Sequence, residues 1–293
     1  MKYGTQLGSL GRKDIHEALD FGKGLGCQGL EVDLPVAAIR TGKATLAGLV
    51  TDAEKLRKAF DAAGVEFISL TPGILLKSVQ TPEVIKATCR VAQVLGVRQI
   101  RMFFAPHVRW GGPNSKLDEW ISDYDGTRDS RDWMKRNAEE LDALLALSEG
   151  YDVRYVFELH HGYVVNSASA AMRMLDRFPP SRVGILMDPG NMVFEGNEGW
   201  RNSVQIMGEY LGYIHCKNGS RRLDGKQWIQ QWNSLEDGVA DYAEIVTALK
   251  DAAFGGYLSI EDLRGGLTPE ERVGNGIRYL KGLAASTKRV MPV

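Results

Sequence analysis

Short β-forming segments alternate with helical segments along the whole 293-residue chain, and eight such rounds can be counted. A repeat of this kind is typical of parallel sheets whose strands are joined by crossover helices. Eight rounds without a linker between them predict a single α/β domain over residues 1–293, folded as a (β/α)₈ TIM barrel. An open, doubly wound sheet is the second interpretation.

The predicted strands lie at 4–7, 30–34, 65–70, 97–104, 154–158, 183–188, 211–217 and 256–261. The predicted helices lie at 14–23, 53–63, 82–95, 131–149, 167–178, 198–208, 241–252 and 269–285. Two irregular segments, 105–129 after the fourth strand and 218–238 after the seventh, predict extended loops. Loops of that length in a compact domain usually have a function.

Four of the predicted strands end in side chains that can bind a metal ion, namely Glu158, Asp188, His215 and Glu261. The C-terminal ends of barrel strands face one site, so these side chains should converge there. The alternative is that charged residues cap strand ends by chance and form salt bridges. Three carboxylates and one imidazole favour one divalent ion, Mn²⁺ or Mg²⁺, although Co²⁺ or Zn²⁺ would also fit.

The charge balance argues against nucleic acid or a membrane surface as a partner. The chain has 36 basic and 37 acidic residues, for a formal net charge of -1. It shows no run of 18 apolar residues and no apolar leader at its start, so we expect a cytoplasmic protein. Its three cysteines are too few and too scattered for a disulfide framework.

Two residues follow the predicted ligands at a spacing of two, which returns a side chain to the same face of a strand. His160 lies two residues after Glu158, where it could contact substrate or orient the glutamate. Lys217 lies two residues after His215, where it could stabilise charge on a substrate or form a salt bridge with a ligand carboxylate.

Other polar and aromatic residues stand close to predicted strand ends. His107 and Trp110 begin the first irregular segment and could cover a sugar, since indole faces pack on apolar surfaces. Packing of the loop itself would explain the tryptophan equally well. Glu31 ends the second strand, and we expect it to pair with Arg101 on the fourth rather than to bind substrate hydroxyls.

Four segments of the chain, 157–162, 187–191, 214–218 and 256–261, resemble the sugar phosphate isomerase/epimerase superfamily, the xylose isomerase-like TIM barrels. The segment 236–242 is similar to the G-x-x-D stretch that precedes the last helix in that superfamily. The resemblance extends over essentially the whole chain. It implies a barrel with one metal ion that chelates two adjacent oxygens of a sugar or polyol.

The resemblance also implies roles for the ligands. In the ketose 3-epimerases of the superfamily, the glutamates that match Glu158 and Glu261 move the substrate proton, one on each face. The chemistry agrees, because a metal that polarises a carbonyl makes the neighbouring carbon acid and stabilises the enediolate. A carboxylate beside that carbon can then act as the base.

Three positions bear on how far the resemblance extends. The epimerases carry a histidine three residues after the aspartate of strand six, where this chain has Asn191, which can still hydrogen-bond a substrate oxygen. Dehydratase-like members often have an aspartate after the H-x-K motif, where this chain has Asn218. Arg221 stands where the epimerases keep an arginine near the substrate oxygens; a solvated surface charge is the alternative.

The first functional hypothesis is a metal-dependent isomerase or epimerase of a sugar, keto-sugar or polyol. The second is a dehydratase of an inosose or dehydroshikimate-like substrate, which would use the same metal and base. A phosphodiester hydrolase would need more histidines than the five present for a three-metal cluster. A sugar-binding barrel without catalysis is the last alternative. In each enzymatic case the partner is a small carbohydrate, and a homo-oligomer is compatible with the sequence.

Overall fold

Eight parallel strands form a closed barrel in the computed structural model, which describes residues 1–104 and 129–287. The strands are β1 Lys2–Gln6, β2 Gly29–Asp33, β3 Glu66–Thr71, β4 Gln99–Met102, β5 Arg154–Glu158, β6 Val183–Met187, β7 Leu211–Cys216 and β10 Tyr257–Ile260. Around the barrel the order is β1, β10, β7, β6, β5, β4, β3, β2, which closes on β1. The predicted TIM barrel is therefore confirmed.

Helices lie between the strands on the outside of the barrel. They are α1 Ile15–Leu25, α2 Leu46–Ala63, α3 Pro82–Leu95, α4 Ser130–Leu147, α5 Ala168–Leu175, α6 Pro189–Phe194, α7 Trp200–Met207, α8 Tyr242–Asp251 and α9 Asn275–Ser286. Among the described residues, none of the helices combines the length and the apolar character needed to cross a membrane.

Polar caps explain where several helices begin. The Asp14 side chain accepts hydrogen bonds from two backbone N–H groups at the start of α1. Thr45 caps α2 through the N–H of Gly48, so this helix begins seven residues before the predicted start. The sequence prediction missed that first part of α2 because Gly48, Val50 and Thr51 have low helix propensity. The final helix was predicted to begin at 269. A π-helical turn, Glu270–Gly274, lies there instead, and α9 begins after it at Asn275.

The segment after β7 was predicted to be an irregular loop, and that prediction is wrong. It forms an antiparallel hairpin of β8 Asn218–Asp224 and β9 Gln227–Asn233. Its turn contains Gly225 with a φ of 60°, a left-handed conformation that favours glycine. Most of its side chains are exposed, so the alternation of apolar and polar residues that marks a half-buried strand is missing. The other extended loop falls in 105–128, outside the described residues.

Two of the apolar clusters in the described part of the chain hold the barrel together. The larger one packs the outer faces of the strands against the helices. The smaller one fills the barrel interior with Ile68, Val156, Leu186, Tyr213 and Tyr257. Val156, Leu186 and Tyr213 stand two residues before Glu158, Asp188 and His215, so this cluster lies directly below the C-terminal ends of the strands.

Candidate metal centre

The structure brings together the four predicted ligands. Glu158 ends β5, Asp188 follows β6, His215 lies near the end of β7 and Glu261 follows β10. All four side chains are buried. One potential ligand atom from each of them lies within 4.8 Å of the ligand atoms of the other three. Side chains separated by up to 103 positions in the sequence therefore share one position at the mouth of the barrel.

The local sequence at β6 explains how Asp188 is oriented. Its Oδ1 atom caps α6 by accepting the backbone N–H of Asn191 at 2.9 Å. Pro189 occupies the first helical position, where a backbone N–H would have no partner within the helix, so proline is tolerated. With Oδ1 held by the helix, Oδ2 is the oxygen left to face His215, at 3.8 Å from its Nδ1 atom.

His215 tests whether a metal ion fits the site. Its Nε2 atom lies 3.0 Å from Glu31 Oε1, so this nitrogen carries the proton of a hydrogen bond. Its Nδ1 atom is buried and has no hydrogen-bond partner among residues 1–104 and 129–287. The same atom lies 3.3 Å from Glu261 and 3.7 Å from Glu158. A buried nitrogen that faces carboxylates without a hydrogen bond fits a shared cation.

The charges of the site point to the same conclusion. Glu31 and the three ligand carboxylates are buried together, and the cations in contact with the ligand carboxylates in the described part of the chain are Arg101 and Lys217. When His215 is neutral, as a metal ligand must be, four negative charges against two positive ones leave two uncompensated, which one divalent ion would neutralise. Burial raises the pKa of Asp188 to about 7 even though Lys217 lowers it.

The pKa values of the other ligands show that the site attracts positive charge. Burial lowers the pKa of His215, but Glu261 and Glu31 raise it well above the ordinary value. Burial raises the pKa of Glu158 and of Glu261, but cationic neighbours outweigh it and hold both well below their usual range. Both glutamates are consequently ionised, which a metal ligand and a general base each require.

Lys217 contacts two of the ligands. Its Nζ atom lies 2.8 Å from Asp188 Oδ2 and 2.6 Å from Glu261 Oε2. Burial lowers the pKa of Lys217, but these carboxylates raise it above the ordinary value. The salt bridge considered from the sequence is therefore present, with both carboxylates. Trp232 of β9 covers the ammonium, with its ring centroid 4.9 Å from Nζ.

Arg101 does not pair with Glu31, and that prediction is wrong. Its Nε atom donates to Glu158 Oε2 at 2.8 Å, and Nη2 contacts the same oxygen and lies 3.6 Å from Glu261 Oε1. Gln6 donates to the same Glu261 oxygen at 2.7 Å. Sequence reasoning missed Gln6 and misassigned Arg101. The signal that could have found them is the one used for the ligands, a polar residue in the C-terminal part of a barrel strand.

Asn191 hydrogen-bonds two of the ligand carboxylates and His161. Its Nδ2 atom donates to Asp188 Oδ2 at 2.8 Å and to Glu158 Oε1 at 3.2 Å. Its Oδ1 atom accepts from His161 Nδ1 at 2.8 Å. Because Asn191 is fully buried, its amide holds two ligand carboxylates in place. Contact of Asn191 with a substrate remains a prediction.

His160 stands at the edge of the site. Its Nδ1 atom donates to the backbone oxygen of His161 at 2.7 Å. Its ring packs against Phe103 and Tyr163, with centroids 6.2 and 5.0 Å away. Burial lowers the pKa of His160, although Glu158 raises it. The ring is partly exposed, so the predicted contact with substrate remains open to test.

His161 gives a pH-dependent prediction. Burial lowers its pKa to about 3, whereas an unfolded histidine titrates near 6.5. Between these values the unfolded chain binds the proton more readily, so we expect His161 to reduce stability as the pH falls from about 6.5 towards 3. Urea unfolding measures this effect. Between pH 7 and pH 4 the free energy of unfolding should fall less in His161→Gln than in the parent. His16→Gln, which removes an exposed histidine, is the control; equal losses in the parent and His161→Gln would contradict the prediction.

Arg221 lies on β8 and is exposed. Its Nη2 atom donates to the backbone oxygen of Phe194 at 2.6 Å, which ties the hairpin to α6. A role in substrate binding stays a prediction. His107 and Trp110, the remaining predicted contacts, lie outside the described residues.

Asn218 holds the hairpin in position through four hydrogen bonds. Its Nδ2 atom donates to the carbonyl oxygens of Leu235 and Ala240, at 2.9 and 3.0 Å. Its Oδ1 atom accepts from the N–H groups of Gly219 and Ala240, at 2.9 and 2.8 Å. An aspartate could accept the last two bonds but could not donate the first two. The asparagine amide therefore joins the hairpin to residues 235–240, a role that an aspartate could fill only in part.

Asn218→Asp should destabilise the protein by about 3 kcal/mol, because it places a buried carboxylate against two carbonyl oxygens. The free energy of unfolding in urea measures this change. Asn233→Asp is the matched control, since Asn233 is the register partner of Asn218 and only accepts a bond there, from Ser220. Similar losses in the two variants would contradict the structural role of the Asn218 amide.

Fold and site together define a class of protein: a (β/α)₈ barrel with three carboxylates and a histidine, which could hold a cation, clustered at the C-terminal ends of its strands. The comparison with protein families agrees, since the xylose isomerase-like TIM barrel family matches residues 19–283. The chain belongs to this family.

Two characterised relatives represent different reactions. A D-psicose 3-epimerase of Enterocloster bolteae is 26% identical over 128 residues, which are 44% of this chain and 36% of that protein. An inosose dehydratase of Clostridium perfringens is 22% identical over 227 residues, which are 72% of this chain and 73% of that protein. The chain thus spans only about a third of the epimerase but most of the dehydratase.

Two solved structures share the fold. The 3-keto-D-glucoside 4-epimerase of E. coli has a TM-score of 0.69 at 17% identity, covering 96% of this chain and 99% of that one. A xylose isomerase-like barrel from Mycobacterium smegmatis, solved in complex with magnesium, has a TM-score of 0.67 at 14% identity and covers 97% of both chains. At these identities the likeness shows the fold alone.

Proposed function

We propose that this protein is a divalent-metal-dependent isomerase or epimerase that moves a proton at the carbon beside the carbonyl of a keto-sugar or related polyol. The observation that carries the proposal is the buried Nδ1 atom of His215, which faces Glu158, Asp188 and Glu261 without a hydrogen-bond partner in the described chain. The proposed ion is Mn²⁺ or Mg²⁺, because three of four ligands are hard carboxylate oxygens. Co²⁺ and Zn²⁺ fit the same set less well.

Glu158 and Glu261 are the proposed bases. Arg101 contacts both carboxylates, and Lys217 contacts Glu261, so each is held in the ionised state that can accept a proton from carbon. When bound, the ion supplies Lewis-acid polarisation of the substrate carbonyl. Because the two glutamates lie on different strands on either side of His215, one can remove a proton and the other can return one.

The remaining residues bind the substrate in this proposal. Lys217 is close enough to the ligands for its ammonium to stabilise negative charge on a substrate oxygen. Trp232 covers that ammonium and presents an indole face on which the apolar face of a sugar can pack. His160, Asn191 and Arg221 are the further proposed contacts.

A dehydratase is the second candidate, because the match to the inosose dehydratase covers 72% of this chain against 44% for the epimerase. The same glutamates would remove a proton next to a carbonyl, and the hydroxyl on the following carbon would leave as water. Lys217, whose raised pKa keeps it protonated, could donate the proton that this hydroxyl requires.

The test incubates the protein and Mn²⁺ in D₂O with a panel of keto-sugars, a 3-keto-glucoside, an inosose and dehydroshikimate. An epimerase incorporates deuterium into a product isomeric with the substrate, whereas a dehydratase yields a product lighter by one water. Mass spectrometry and proton NMR distinguish these results. Binding of a sugar without exchange or product would support a non-catalytic barrel and refute both enzymatic proposals.

A further inference from the structure

Below the four ligands lies a carboxylate that coordinates no ion in the proposed site, Glu31 of β2. It is 1% exposed and contacts residues from three other strands. Ser69 of β3 donates to Oε2 at 3.2 Å, and the Tyr213 hydroxyl of β7 donates to the same oxygen at 2.8 Å. Ser259 of β10 donates to Oε1, and His215 Nε2 lies 3.0 Å from that oxygen.

The hydrogen-bonding capacity of Glu31 is thereby filled. An ionised carboxylate accepts about four hydrogen bonds and donates none, and four donors from three strands surround this one. The serine and tyrosine hydroxyls could rotate and act as acceptors, but the imidazole Nε2 can contact a carboxylate only as a donor. Glu31 therefore requires the proton of a neutral His215 to be on Nε2.

The consequence concerns the other nitrogen of the same ring. With the proton on Nε2, the lone pair of a neutral imidazole is on Nδ1, which is the atom that faces Glu158, Asp188 and Glu261. We propose that Glu31 is a positioning residue that makes His215 an Nδ1 metal ligand, a role that rests on the proposed metal site. A ligand histidine held by a carboxylate is also more basic, which strengthens its bond to the ion.

The variant E31Q tests this role. Its amide has two acceptor positions and two donor hydrogens in place of four acceptor positions, so it cannot receive all four donors. Isothermal titration of the full chain with Mn²⁺ should show binding weakened about 10- to 100-fold relative to the parent. Asp33→Asn is the matched control, because it also removes a carboxylate from β2. The described hydrogen bonds of Asp33 do not include His215, so the Mn²⁺ affinity of this variant should stay within about threefold of the parent.

The outcomes separate this inference from the proposed function. If the parent binds one Mn²⁺ and E31Q binds it equally well, Glu31 has no positioning role and the metal site stands. A loss of the same size in Asp33→Asn and E31Q would assign the effect to net charge and overturn the positioning role. If the parent binds no divalent ion, the proposed metal site fails, and this role fails with it.

A second measurement keeps the inference testable if E31Q does not fold. Long-range ¹H–¹⁵N correlation of the parent with Mg²⁺ bound reports which ring nitrogen of each histidine carries a proton. The His215 signal, assigned by its loss in H215Q, should show the proton on Nε2. A proton on Nδ1 would overturn the proposal directly. This readout does not depend on turnover or on overall charge.

Discussion

Turnover should fall by about 10²- to 10⁴-fold in Glu158→Gln and in Glu261→Gln, because each substitution removes a carboxylate that can accept a proton from carbon. The amide keeps the size of the side chain and one oxygen for the ion, so the fold should survive. Arg101 and Lys217, which now contact the two carboxylates, would lose charged partners. The fall in turnover should therefore be larger than the fall caused by the missing base alone.

The measurement is solvent deuterium exchange into the substrate identified from the panel, made at saturating Mn²⁺ so that weaker ion binding does not mimic a lost base. Glu270→Gln is the control, since Glu270 is half exposed and lies 3.9 Å from Arg12. Circular dichroism and gel filtration check the fold of each variant. Undiminished exchange in both site variants would remove the glutamates from the reaction.

Chelation of divalent ions should abolish turnover and lower the thermal stability of the protein. Without an ion, Arg101, Lys217 and a protonated His215 compensate only part of the charge of four buried carboxylates, and the remaining repulsion opposes folding. With an ion at about 100 times its Kd, binding adds about 2.7 kcal/mol to the free energy of unfolding. Readdition of Mn²⁺ or Mg²⁺ should restore both activity and stability.

Differential scanning calorimetry with EDTA and with added ions measures this effect. His215→Gln is the informative comparison, because it removes the Nδ1 ligand while leaving the three carboxylates in place. Its Tm should respond much less to Mn²⁺ than that of the parent. An unchanged Tm and full turnover of the parent in EDTA would show that the carboxylates do not bind a functional ion.

The barrel and its ligands could be predicted because both depend on local patterns. Alternating strand and helix segments are visible in any window of the chain, and parallel strands place their C-terminal ends on one side. Glu158, Asp188, His215 and Glu261 were each recognisable as the polar end of an apolar run. The hairpin after β7 was not, because its strands are largely exposed and lack apolar alternation.

Partners within the site could not be predicted from local patterns. Arg101 was expected to contact Glu31, but β2 and β4 are separated by β3 in the barrel. β5 lies directly beside β4, with Arg101 in register with Val156, so Glu158 is only two residues further along the neighbouring strand. The neighbouring strand thus supplies the carboxylate that Arg101 contacts most closely, although the arginine also reaches Glu261 across the barrel.

The pattern of residue types was sufficient to predict a closed barrel and the four side chains that meet at its mouth, since strand period and strand direction are properties of the chain itself. The pairing of Glu31 with His215 required the folded molecule. Their strands, β2 and β7, are not neighbours in the barrel, and the two side chains meet across its interior, 184 positions apart in sequence. A contact of that kind exists only once all eight strands have closed, because closure is what sets the distance across the barrel.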